Sequence, residues 1–314
     1  MGAGPGLRFV KATNRQSLMF ASVKTAPLRP GLAAVSNSVS VFDGKYPGGG
    51  NVTAAVFHSG KEAFVFDSLL YPDDTHALLQ EAKKSGLGVK GLINTHWHID
   101  HTAGNQLFHD TQHIISHSLC GDLMRTEGKD DPEWAFGRLK LEEKDRIRST
   151  YPNEAVGDGS TLQVGSREIE IIHAPGHTPD SIIGWEKEEG VLIAGDTVME
   201  LPFFGYGDSQ ALIESLKKIR SIAGARGKIV QGHGGVCAGE RIVDDIRYLE
   251  EVRRRTAEYV GSGKSAEQAS AGIKLEDCVT KARFALLSER FGSLLWCHPS
   301  NVERAFSELA EKKA

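Results

Sequence analysis

Thr95-His96-Trp97-His98-Ile99-Asp100-His101 places three imidazoles and one carboxylate within six residues, directly after the apolar run Val89-Lys90-Gly91-Leu92-Ile93. Side chains alternate faces along an extended chain. His96 and His98 are therefore expected to project the same way, while Asp100 and His101 turn toward a second point just past the strand end. One short segment then supplies ligands for two adjacent ions. A His-rich surface loop is the plain alternative for any one of these residues. Four ligand-type side chains beside a buried strand are costly to desolvate, however, and metal coordination offsets that cost.

Residues of the same kind recur at strand ends downstream. Pro175-Gly176-His177-Thr178-Pro179-Asp180-Ser181 sets a lone His after the alternating strand Glu168 to Ile172. Leu192-Ile193-Ala194-Gly195-Asp196-Thr197 ends an apolar strand on an aspartate, and Ile229-Val230-Gln231-Gly232-His233-Gly234 ends another on a histidine between glycines.

In this order, His-x-His-x-Asp-His, Gly-His-Thr, Gly-Asp-Thr and Gly-His-Gly resemble the metallo-β-lactamase superfamily, over roughly residues 30 to 240. The resemblance implies an α/β fold, the four-layer αββα sandwich of that superfamily. It also implies a ligand set: His96, His98 and His177 for a first metal, Asp100, His101 and His233 for a second, and Asp196 bridging them. The β-lactamases of this superfamily that use a Cys ligand carry Arg at the place of His101 and Cys at the place of Asp196, so that branch is disfavoured. Glyoxalase-II-like thioesterases, lactonases and phosphodiesterases share the set seen here.

The donor chemistry agrees. Imidazole and carboxylate suit zinc, iron or manganese, no Cys lies at a motif position, and zinc is the default for the two divalent ions. A hydroxide held between two ions can attack a carbonyl while the metals polarise it. The expected reaction is hydrolysis of an ester, thioester, lactone or β-lactam, with Asp100 and Asp196 orienting the nucleophile or relaying a proton. A phosphodiesterase or nuclease of the same fold, a mono-iron persulfide dioxygenase, and a non-catalytic metal-binding protein are the competing readings.

Composition sets the frame for this chemistry. A chain of 314 residues with 40% hydrophobic and 25% charged residues can bury a substantial core. A net charge of -4 lacks the basic footprint of a nucleic-acid binder, which leaves a small-molecule substrate as the expected partner. Cys120, Cys237, Cys278 and Cys297 form no close pair, fitting reduced thiols and a cytoplasmic location. Cys237 is read as a packed thiol, although it lies close to His233 in sequence. The N-terminus holds no apolar run long enough for a membrane helix or a signal peptide, while its lack of acids before Asp43 leaves organellar targeting open.

Three regions follow: an N-terminal arm over 1–30, a catalytic domain over 31–240, and a helical C-terminal extension over 241–314. Val39 to Phe42, Val52 to His58 and Ala63 to Asp67 read as strands, and Pro72 to Ser85 as a helix that Gly86 stops. Asn51 reads as a loop residue near the mouth of the site. Lys129 to Pro152 reads as a charged, solvated helix or as a lid carrying Trp134. The aromatic loop with Phe203, Phe204 and Tyr206 is placed to line a substrate pocket, with core packing as the rival. Helices are expected over Glu240 to Val260, Glu276 to Phe291 and Asn301 to Leu309, the last capped by Ser300 or Asn301. Docking on the core, shaping the pocket and a homodimer contact are the uses open to them. His117 is a candidate capping residue, His298 is open, and His58, His76, His109, His113 and His173 receive no role at the centre.

Overall fold

The computed structural model describes residues 31–111 and 113–312, so the expected N-terminal arm lies outside the described residues. Two sheets face each other. The first runs β1 (Ala33–Ala34), β2 (Val39–Tyr46), β3 (Gly50–Ser59), β4 (Glu62–Phe66), β5 (Gly88–Ile93), β6 (Ile114–His117) and β7 (Glu154–Val156), in that spatial order. Its first four strands pair antiparallel and the rest parallel. The second holds β8 (Ser160–Val164), β9 (Arg167–His173), β10 (Ile182–Glu186), β11 (Val191–Gly195), β12 (Lys228–Gln231) and β13 (Val236–Ala238), ordered β13-β12-β11-β10-β9-β8. Only β11 and β12 pair parallel there. Each sheet has a helical crossover: α1 (Pro72–Lys84) connects β4 to β5. The connection between β5 and β7 carries α2 (Ile99–Thr102), α3 (Cys120–Thr126) and α4 (Asp131–Leu139), and α5 (Ser209–Ala223) connects β11 to β12.

The two-residue period of the strands decides the layers. Val39, Val41, Phe57, Phe64, Phe66 and Ile93 point inward and meet Ile169, Ile171, Ile182, Val191, Ile193 and Val230 of the second sheet. Their neighbours Phe42, Val56, Val65 and Leu92 point outward against Leu78 of α1. Ile172, Ile183, Leu192 and Ile229 point outward against Leu212, Ile213, Leu216 and Ile219 of α5. Strands buried on both faces read as continuous apolar runs, which is how they appear in the sequence. The result is a four-layer αββα sandwich with helices added at the C-terminus.

Those added helices are α6 (Ile242–Gly261), α7 (Ala266–Gly272), α8 (Leu275–Cys278), α9 (Lys281–Arg290) and α10 (Cys297–Glu311). Their buried side chains, among them Tyr248, Leu249, Val252, Leu287, Val302 and Ala305, join the same cluster as α5 and the outer face of the second sheet. Three expectations need correction here. The helix expected over 276 to 291 is two, because Thr280 leaves the helix and its side chain accepts from the Arg283 N–H to cap a new one. The last helix starts at Cys297 rather than Asn301, since Pro299 fits its first turn without breaking it. Asn301 is thus inside the helix, and Asn51 lies on β3 rather than in a loop.

Candidate metal centre

The centre gathers at one edge of the sandwich, where β4, β5, β11 and β12 end and the backbone leaves the ladders. Thr95 O accepts from the Ile182 N–H at 2.8 Å, and Gly232 O from Thr53 N–H at 2.7 Å, so each sheet is tied to the other beside the ligand loops. Glycine is required where these loops touch. A Cβ on Gly232 would lie 1.8 Å from Asp196 Oδ1, and one on Gly195, at φ +49, 2.4 Å from Thr95 Oγ1.

Two groups of donors result, His96, His98, His177 and Asp196, and Asp100, His101, Asp196 and His233. In the first, His96 Nε2, His98 Nδ1 and His177 Nε2 lie 3.0, 3.2 and 3.0 Å from one another. The outer nitrogens show which inner ones carry lone pairs. Thr95 Oγ1 donates its proton to Asp67 Oδ2 at 2.8 Å and so accepts from His96 Nδ1 at 3.0 Å. His177 Nδ1 donates to the Phe203 carbonyl at 2.8 Å. His96 Nε2 and His177 Nε2 therefore face each other with lone pairs and no proton between them, an arrangement that a shared cation resolves. Tetrahedral zinc with imidazole nitrogens at 2.0–2.1 Å spaces its donors by about 3.3 Å. The residues fit a metal ion.

The second group is built the same way. His101 Nδ1 donates to Asp67 Oδ2 at 2.8 Å, and His233 Nδ1 to the Asn51 carbonyl at 2.6 Å. Their Nε2 atoms turn inward, His101 to Asp196 Oδ1 at 3.2 Å and His233 to Asp100 Oδ2 at 3.2 Å and Asp196 Oδ2 at 3.4 Å. Asp196 is shared, since its Oδ2 also lies 3.5 Å from His177 Nε2. Such outer hydrogen bonds fix a ligand ring's tautomer and direction.

Charge separates the two groups. Burial lowers His96 well below the ordinary imidazole value, lowers His177, and brings His98 to about 3 with help from His177, so these three are neutral bases. Burial also disfavours charge on His101 and His233, but the facing carboxylates outweigh it, Asp196 foremost, raising His101 and lifting His233 to about 10. Asp100 and Asp196, whose burial alone would raise them, are held low by these imidazoles, Asp100 at about 2. The site thus concentrates two ionised carboxylates and three neutral imidazoles in a buried pocket, with His101 and His233 holding protons against the carboxylates that a divalent ion would have to displace; nitrogen and oxygen donors of this kind suit a hard-to-borderline divalent ion.

Residues 47–233 match the model of the metallo-beta-lactamase superfamily. The chain belongs to the metallo-β-lactamase superfamily. Among curated members it is similar to the Beta-lactamase-like protein 2 homolog of Caenorhabditis elegans, 27% identical over 58% of this chain and 55% of that protein. It is also similar to the Acyl-coenzyme A thioesterase MBLAC2 of Gallus gallus, 24% identical over 54% of this chain and 66% of that protein. The Hydroxyacylglutathione hydrolase of Rhodospirillum rubrum is 25% identical over 49% of this chain and 52% of that protein. The chain thus spans between about half and two thirds of the length of these relatives. In fold it is similar to the metallo-beta-lactamase from Pontibacter korlensis, with a TM-score of 0.59, 17% identity and coverage of 71% of this chain and 99% of that one.

Around this superfamily centre the aromatic residues separate. Phe203 is edge-on to His177 at 5.7 Å and to Trp296 at 4.9 Å, and Tyr206 lies 5.1 Å from His98 and 5.5 Å from Trp97. Phe204, expected to line a pocket or to pack in the core, is fully buried in the cluster it shares with α5, and its N–H donates to Asn301. Trp134 is 43% exposed on α4 and, among the described residues, has no ring contact with the aromatics at the centre. The segment after it is packed rather than loose: Ala135 and Ile147 are buried with Ala103, and the Arg146 guanidinium lies over Phe136.

The outlying histidines and thiols take structural places. His117 Nδ1 accepts from the Leu119 N–H at the start of α3, and its ring stacks on His173. His298 is buried and bonds to Tyr248 and the Ile273 carbonyl. Cys237 is on β13 beside Arg241, outside both donor groups, and burial pushes its thiol up to about 12.

Asp67 is the residue that sequence reasoning missed. Its carboxylate is buried, accepts from Thr95 N at 2.7 Å and Thr95 Oγ1 at 2.8 Å, and orients His101. Its signal was present: it follows the apolar strand β4 just as Asp196 follows β11. Asp245, Glu200, Arg241 and Arg283 form a second buried charge cluster behind the centre. Arg241 donates to the carbonyls of Met199 and Glu200, tethering the loop after Asp196 to the start of α6.

Proposed function

We propose that this chain is a dinuclear metallo-hydrolase that cleaves an acyl thioester. The observation that carries this reading is the pair of donor groups joined through one carboxylate, Asp196. His96, His98 and His177 would hold one divalent ion, Asp100, His101 and His233 the other, with zinc fitting both. Bound there, the ions supply Lewis-acid polarisation of the acyl carbonyl and a lowered pKa for water.

The chain's own groups do the rest. Asp100 keeps 13% of its side chain exposed, against 4% for Asp196. Its carboxylate is the one placed to accept a proton from water and return it to the departing thiolate. Asp196, more deeply buried, holds the two halves of the site in register. Phe203, Tyr206, Trp97 and Trp296 form an apolar, aromatic flank beside His98 and His177 on which an acyl chain can lie with water excluded. Thioesters are favoured among carbonyl substrates because the Gallus gallus relative carries the name of an acyl-coenzyme A thioesterase and the Rhodospirillum rubrum relative that of a hydroxyacylglutathione hydrolase.

The test is metal content of the purified chain together with turnover of acyl-coenzyme A, a glutathione thioester, a lactone, a β-lactam and a phosphodiester. Two ions per chain with thioester turnover, both lost in Asp196→Ala, is the expected result. One iron per chain with oxygen uptake and no hydrolysis would sink the proposal.

A further inference from the structure

The C-terminal helix reaches the centre through an unbroken line of buried hydrogen bonds. Asn301 on α10 has no exposed surface, and its two ends grip the chain on either side of Phe203. Its Oδ1 accepts from the Phe204 N–H at 3.0 Å, and its Nδ2 donates to the Pro202 carbonyl at 2.7 Å. Between these two tethers is the Phe203 carbonyl, the acceptor for His177 Nδ1 at 2.8 Å. The amide itself is held from behind. Its second N–H goes to Tyr248 Oη at 3.0 Å, Tyr248 donates to His298 Nδ1 at 3.1 Å, and His298 Nε2 donates to the Ile273 carbonyl at 3.1 Å. Every side-chain N–H and O–H donor in this line has an acceptor, and flipping the amide would set donor against donor at Phe204, so the amide has one orientation.

We infer that Asn301 is a positioning residue for the metal centre, acting through the Phe203 carbonyl to set the direction of the His177 lone pair. The inference rests on the reading of His177 as a metal ligand. It assigns a role to a residue outside the segment 47–233 that carries the superfamily match. Partners that orient a ligand's far nitrogen govern metal affinity by about 10–100-fold when removed. Asn301→Leu, close in volume but unable to hold either tether, is expected to lower affinity for one of the two ions at least tenfold.

The experiment compares wild type, Asn301→Leu and Glu308→Gln by competition with a chromophoric zinc chelator and by the d–d absorption of the cobalt-substituted proteins, with thermal melting as the check on folding. Glu308, also on α10, caps the start of α5 through Ser209 N at 3.0 Å and touches no part of the line, so its variant reports general loosening of the helix. Weakened binding of one ion and altered cobalt bands in Asn301→Leu, with Glu308→Gln unchanged, is the expected result. A folded Asn301→Leu with wild-type affinity and bands overturns the inference. If that variant does not fold, Asn301→Asp decides: it keeps the shape and the Phe204 bond but sets an oxygen against the Pro202 carbonyl, and an unaltered cobalt spectrum there overturns the inference too. A wild-type chain that takes up no metal overturns both this and the hydrolase reading, whereas two tightly held ions and an indifferent Asn301→Leu overturn this alone.

Discussion

Asp67 shows how much of the centre depends on a residue that holds no ion. Its backbone has φ +67, a left-handed conformation that Asp tolerates better than most residues, and this bends the chain so that one carboxylate serves both Thr95 and His101. In Asp67→Asn one oxygen still receives the Thr95 N–H, but the amide NH2 now opposes His101 Nδ1–H. Metal affinity is expected to fall about 10–100-fold. Chelator competition checks this, and affinity within twofold of wild type would show that His101 is oriented by something else. At this scale the side chains that could ligate were readable from sequence because only a few residue types can do so, and His96, His98, Asp100, His101, His177, Asp196 and His233, which stand in an ordered pattern there, come together in the fold. The carbonyls of Asn51 and Phe203 were not readable, because every residue has one and only the fold selects which is used.

Among the elements, α6 connects the helical region to the loop after Asp196 through its charges. Burial raises the Asp245 carboxyl to about 6 against the pull of Arg241 and Arg283, with Glu200 adding to the rise. An unfolded Asp titrates near 3.9. The native state therefore binds this proton more tightly, and its contribution is greatest below about pH 4, declines as pH rises from about 4 to about 6, and is constant above. Asp245→Asn lacks that decline, so urea unfolding at a series of pH values should show the variant gaining on wild type between pH 4 and 7. A difference between the two that does not vary with pH, or that moves the other way, would refute the assignment. The helix α6 itself was legible because its apolar stripe at Ile242, Ile246, Leu249 and Val252 has the helical period. The break between α8 and α9 was not, since the period runs on through Val279-Thr280 and only packing decides that Thr280 caps a new helix. Helix α7, with its Ser265 capping box, gives little sign of itself in the sequence because its small residues carry no apolar stripe.

In the whole molecule, a metal held as proposed is linked to the fold by mass action, because the candidate donors come from the ends of strands in both sheets and the folded chain brings them together. At free metal about 1,000-fold above its Kd, binding to the native state adds about 4 kcal/mol. Removing the ions with a chelator should lower Tm, and restoring zinc should return it. A Tm indifferent to chelation would mean that the donor groups hold no tightly bound ion. By itself the sequence determined the alternation that separates the layers and, through the ordered motifs that resemble the superfamily, the fold class and the candidate ligands, because hydrophobic period and motif chemistry are local properties written residue by residue. Only the tertiary structure decided that Phe204 turns into the core, that Trp134 is left exposed on α4, and that Asn301 of the last helix grips the loop beneath His177. Those outcomes depend on which backbone groups meet across about a hundred residues of chain, and no local pattern encodes that meeting.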